Sequence, residues 1–153
     1  MPEYDTWESL VEAAQQRCAN VLTKDVAPIA TAILKRHIIS DIYGAYTPIE
    51  NGWVNGTTYQ RRHVLENSLY HTLIATDEIL ITSNATTSKS VVKGYSFHNR
   101  RPGSFLKLLE SGNMGIWRNG FPRPAVSNAQ AEIDRSTEIR NSIQRGLNRE
   151  FNA

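Results

Sequence analysis

The stretch SLYHTLIATDEILITSN, residues 68–84, decides the fold class. Residues 68–75 and 78–84 are rich in β-branched residues, Leu and Tyr, and Thr76-Asp77 lies between them. That pattern predicts an antiparallel hairpin, or two strands of one sheet. Alternation puts Leu69, His71, Leu73 and Ala75 on one face of the first strand, and Tyr70, Thr72 and Ile74 on the other.

Upstream the period changes. Asp5 or Thr6 is placed to cap a helix, with Glu8 in its first turn. Apolar residues follow at Trp7, Leu10, Val11, Ala14, Cys18, Val21 and Leu22, in the steps of three and four that a helix requires. Cys18 lies on that stripe and reads as a small buried hydrophobe, not a nucleophile. Asp25 and Pro28 mark a break or kink. A second helical stripe runs through Val26, Ile29, Ile33, Leu34, Ile38 and Ile42, with His37 at its boundary. The helical N-terminal region is thus expected over about residues 5–45. The segment TPIENGWVNGTT, residues 47–58, carries two Asn-Gly pairs and one Pro, and predicts a loop with a small hairpin around Trp53.

Downstream, residues 85–103 mix a Thr/Ser run with two glycines. They read as a mobile stretch with a short strand at Val91–Phe97, so the sheet and its loops fill about 57–103. Residues 104–111 predict a short helix capped by Ser104 and stopped at Gly112. The connector 112–125 is apolar and rich in Gly and Pro, and its Trp117 and Phe121 stand beside Arg118 and Arg123. Those aromatics must pack beneath the domain or against a partner. The last helix is expected over about 124–150, on a weak stripe of Ala129, Ile133, Ser136, Ile139, Ile143 and Leu147. A helix this polar is half-exposed or packs on a neighbouring subunit.

Composition sets the outer bounds. With 153 residues, 40% apolar and 21% charged, the chain has enough core for one domain over residues 1–153. Disordered, collagen-like and helical membrane-spanning classes are excluded. The fold class that follows is α+β: a small antiparallel sheet packed by N-terminal helices and a long C-terminal helix. The opening residues MPEYDTWESL lack a basic-then-apolar pattern, so no signal peptide is expected, and synthesis in the cytoplasm fits. A single cysteine excludes an internal disulfide.

Charge is uneven. Residues 1–60 carry seven acids and four bases, whereas residues 61–123 carry nine bases and four acids. Arginine outnumbers lysine 12 to 5, and guanidinium suits fixed bidentate contacts better than ammonium. This partition fits a protein that meets neighbours on two different faces.

Catalytic signatures are missing. There is no G-x-G-x-x-G, P-loop, H-E-x-x-H or G-x-S-x-G pattern. His37, His63, His71 and His98 lack metal-ligand spacing. Asp77-Glu78 falls at a turn, and Glu132 and Asp134 face different ways on a helix. An enzyme is not expected, and neither a cofactor nor a metal is implied. Two basic clusters remain: Arg61-Arg62 after Tyr59, and Arg100-Arg101 after Phe97-His98. Such clusters grip phosphates and stack on bases, or they form salt bridges to a neighbour.

The order of these features resembles a known family. Ile42–Pro48 reads I-Y-G-A-Y-T-P, Tyr59–Leu69 reads Y-Q-R-R-H-V-L-E-N-S-L before the first strand, and Gly120–Ala125 reads G-F-P-R-P-A before the last helix. This resembles the small tail-completion and neck proteins of long-tailed bacteriophages. There, a Tyr-x-Arg-Arg segment leads into the first strand, and an Arg-Pro-Phe-like motif precedes the last helix. Ala125 stands where that family often has a large apolar residue, and the insert 49–58 is longer than usual.

The resemblance implies an α+β subunit of a cyclic homo-oligomer, most often a hexamer, in the virion at the head–tail junction. Its neighbours would be connector or stopper proteins and tail-terminator or tail-tube proteins. DNA would pass through its channel without sequence-specific binding, and no membrane would be involved. Arg61, Arg62, Arg100 and Arg101 then become candidates for inter-subunit ion pairs or the channel wall. Trp117, Arg118, Phe121 and Arg123 become candidates for the subunit interface. The alternative reading is a small nucleic-acid-binding module built on the same arginine–aromatic clusters, recognisable by steeply salt-dependent binding.

Overall fold

The computed structural model describes residues 4–44, 64–85, 106, 110 and 123–152. From Trp7 to Tyr43 the chain is helical without a gap. Helix α1 (Trp7–Val21) passes into a π-helical turn, π1 (Leu22–Val26), then α2 (Ala27–His37), then a second π-helical turn, π2 (Ile38–Tyr43). Thr6 caps α1 by accepting from the Ser9 amide at 3.1 Å, and the Ser9 hydroxyl accepts from the Thr6 amide at 3.3 Å. This reciprocal pair satisfies donors that the first turn leaves without partners.

Of the break or kink expected at Asp25 and Pro28, the structure has a widened turn inside one long helix. Proline lacks an N–H, and its ring would crowd the carbonyl four residues earlier. The π-turn closes one residue later, with the Ala27 amide reaching the Leu22 carbonyl, so the helix passes the proline without ending. The second stripe is the core as expected. Val26, Ile33, Leu34, Ile38 and Ile42 are buried, and Ile29 packs against them. Ile38 is fully buried, a change worth about 1.5–3 kcal/mol for a side chain of that size.

The first stripe is not buried as expected. Trp7 is 73% exposed, and Leu10 and Val11 are also exposed. Burial along α1 begins only at Ala19 and Val21, where the C-terminal helix arrives. Cys18 is half-buried and unpaired.

A short helix, α3 (Val64–Asn67), precedes the hairpin of β1 (Leu69–Ala75) and β2 (Glu78–Ser83). The strands pair antiparallel with Leu69 opposite Ser83 and Leu73 opposite Ile79, and a register irregularity follows Leu73. The hairpin is anchored at its base. Leu69 and Ile81 pack on the core. The buried Ser83 hydroxyl accepts from the Ala85 amide at 3.0 Å and lies 2.5 Å from the Ser68 hydroxyl, which donates to the Leu65 carbonyl at 2.9 Å. Since Ser68 spends its proton on Leu65 and Ser83 accepts from Ala85, the Ser83 hydroxyl is the donor between the two serines. Beyond this base β1 is exposed on both faces, because the hairpin extends past the helices that cover its root.

The single last helix expected from the sequence is two helices, α4 (Ala125–Arg135) and α5 (Thr137–Asn152). Ser136, read as part of the apolar stripe, has extended backbone instead. Its hydroxyl accepts from the Ile139 amide at 3.2 Å, capping α5. Ala125, Ala129 and Ile139 complete the core with Leu65, Ala85 and Leu106. Ala125 is fully buried. Leu106 and Glu110, the described positions of the segment predicted as a short helix, have helical backbone. The architecture is α+β, and the described residues place helices against one small antiparallel sheet. The predicted loop at 47–58, the predicted strand at 91–97 and most of the connector 112–125 lie outside the described residues.

Candidate assembly interface

Of the residues singled out by sequence, Arg123 is described. It is half-buried, and its carbonyl accepts from the Ala125 amide at 2.8 Å as α4 begins. Arg61, Arg62, Arg100, Arg101, Trp117, Arg118 and Phe121 lie outside the described residues. Pro124, at the cap position of α4, offers no side-chain acceptor. Glu110 supplies one from elsewhere in the chain. Its two carboxylate oxygens accept from the Val126 and Ser127 amides, each at 3.0 Å, and the Ser127 hydroxyl also donates to it. A carboxylate at a helix N-terminus meets both free amides and the positive end of the helix dipole. The root of the Arg123 segment is thereby fixed to Glu110.

A polar cluster ties α4 to the long helix. His37 closes α2, and one ring nitrogen, Nδ1, is 2.8 Å from Asp41 Oδ2. The other, Nε2, is 2.9 Å from Glu132 Oε2 on α4. The second oxygen of Glu132 accepts from Arg36. Asp41 also accepts from the Ser40 hydroxyl at 2.6 Å and from Asn128 Nδ2 at 2.9 Å. Burial works against charge on His37, yet its hydrogen bonds to Asp41 and Glu132 together outweigh that cost and raise its pKa above the ordinary 6.5. Burial likewise opposes the Asp41 carboxylate, and the donors Ser40, Asn128 and His37 reverse the balance and lower its pKa. Asp134, two residues from Glu132, bonds Gln130 at 2.8 Å instead, so these two acids do not share a site.

A second cluster ties α5 to π1. Arg149 grips Asp25 with two parallel bonds of 2.9 and 2.8 Å, the geometry that only a guanidinium provides. That guanidinium holds the Asp25 carboxyl below its ordinary range. The Ser142 hydroxyl donates to the Asp25 carbonyl at 3.2 Å, and Asn20 donates to Glu150 at 3.3 Å. Arg17 lies over the Phe151 ring at 5.2 Å.

Among the described residues, exposed large apolar side chains group on two elements. One is the first part of α1, with Trp7, Leu10 and Val11. The other is the hairpin, where Tyr70 and Leu80 share a face by register, and Leu73 and the 53% exposed Ile74 are also open. The helical period places Trp7, Leu10 and Val11 on one stripe with Cys18, the residue expected to be buried, and the front of that stripe is open. Among the described residues, no group of three or more His, Cys, Asp or Glu is arranged to hold a metal ion. No helix among them is long and apolar enough to cross a membrane.

No curated protein and no solved structure matches the chain. The profile of a family described as YomN matches residues 6–149, and that name is a phage-associated one, which hints at a phage protein. The match runs from the cap of α1 to the Arg149 that fastens α5, and so includes all of the described elements except the last three residues of α5. The chain belongs to the YomN family.

Proposed function

We propose that this protein is a structural component of a phage particle, a subunit of a cyclic homo-oligomer at the head–tail junction that caps or joins the tail and leaves a channel for DNA. The observation that carries this reading is the pair of apolar surfaces on α1 and on the hairpin that stand exposed among the described residues. Large apolar side chains grouped on two separate elements are a feature of chains that bury them against neighbours. A closed head-to-tail ring needs two different surfaces on every subunit. The acid-rich first 60 residues and the base-rich residues 61–123 supply the complementary charge. Membership of a phage-associated family supports the same setting. Sixfold symmetry, and connector and tail-terminator neighbours, follow from the resemblance to neck proteins. On this reading the chain performs no chemistry.

Charge reversal tests it. With Arg61 and Arg62 both replaced by Glu in the phage gene, the purified chain should keep its helical circular dichroism and thermal midpoint. Infected cells should accumulate filled heads and unattached tails. Infectious particles at the normal titre would contradict the role given to these arginines.

A further inference from the structure

We infer that His37 is a protonation-dependent latch: held between Asp41 of π2 and Glu132 of α4, its imidazolium fastens α4 to the long N-terminal helix. The inference does not depend on the assembly role. It rests on a donor count. Ionised carboxylates only accept, and a neutral imidazole carries one N–H. Contacts of 2.8 and 2.9 Å to carboxylate oxygens on both ring nitrogens therefore need the doubly protonated ring. Among the described residues the charged groups acting on the ring are Asp41 from π2 and Glu132 from α4, and neither π1 nor the hairpin, which also pack on α2, adds another. Arg36, on α2 itself, engages the far oxygen of Glu132.

Loss of the proton leaves a lone pair facing a carboxylate on one side of the ring. The carboxylates keep other donors: Ser40 and Asn128 for Asp41, Arg36 for Glu132. Deprotonation thus loosens the join between α2 and α4 without leaving a buried charge unpaired. The buried contacts of Ala125 and Ala129 persist, so the response is a local opening of α4, not global unfolding. The sign follows from the raised His37 pKa. The latch is fully engaged below the ordinary 6.5 and is lost as pH rises through the higher folded value. Asp41, shifted the other way, bounds the window from below: its share is present above 3.8 and lost as pH falls through its lowered folded value.

Hydrogen exchange of the full chain at pH about 5.5 and about 9, corrected for the intrinsic pH dependence of exchange, reads the latch directly. Amides of α4 should lose about tenfold more protection than those of α5 at the higher pH, the loss expected from one charge-assisted hydrogen bond. His37→Gln should remove that differential. Equal changes in the two helices of the unaltered protein, or a differential that survives His37→Gln, would overturn the latch. Should that variant fail to fold, the ring resonances of His37 in the unaltered protein decide. A titration midpoint above 6.5 is expected, and one at or below it overturns the inference.

Discussion

Gly146 is a point of close approach between α5 and the long helix. A Cβ built there would lie 2.7 Å from Val21 Cγ1 and 2.8 Å from Asp25 Oδ2. Neither neighbour has room to move: Val21 is 2% exposed, and Arg149 pins Asp25 through both oxygens. An exposed helical Gly→Ala change would stabilise by about 1 kcal/mol, but here overpacking of about 1–3 kcal/mol opposes it. Gly146→Ala should lower the urea midpoint, and Gly146→Val should lower it further. A midpoint that rises with Ala would show that the helices are not in contact there. This glycine was not legible in the sequence, because its reason lies on an element more than 100 residues away. The cap of α1 was legible as Asp5 or Thr6, and the structure uses Thr6, whose partner Ser9 is three residues on. The bidentate use of arginine was legible in kind, from the excess of Arg over Lys, but not in place: the pair found is Arg149 with Asp25.

At the scale of elements, α4 depends on a residue outside itself. Its cap position is Pro124, and Glu110 accepts the two amides that follow. Glu110→Ala should therefore destabilise the protein by about 1–2 kcal/mol, the size of a lost helix cap. The faster exchange should be concentrated at Val126 and Ser127, with Glu110→Gln intermediate. Unchanged exchange at those two amides would remove Glu110 from this role. The hairpin and the core stripe of α2 were legible because period and turn residues are local signals. The π-turns were not, since Pro28 announces an obstacle but not how the helix passes it. Ser136 misled for a related reason. Apolar spacing carried across it, while its hydroxyl was better used as a cap.

Across the whole molecule, the α+β class and the apolar residues were legible in the sequence, yet among the described residues fewer of them are buried than their periodicity suggests. Trp7 at 73% and Ile74 at 53% exposure are the clearest cases. A stripe of helical period reports a surface that will be covered, and it does not say by which chain. The candidate interface was legible only as a list of residues: Arg123 is described at the root of α4, and the others lie outside the described residues. The central claim, that this member of the YomN family is a ring subunit joining head to tail, concerns the particle and is tested there. The most direct measurement is immunogold labelling of purified virions with antibodies to this chain, imaged by electron microscopy and paired with mass spectrometry of the dissociated particles. Gold should be confined to the head–tail junction, and peptides of this chain should be among the virion proteins. Virions that carry neither gold nor peptides, although infected cells hold abundant protein, would contradict the central claim.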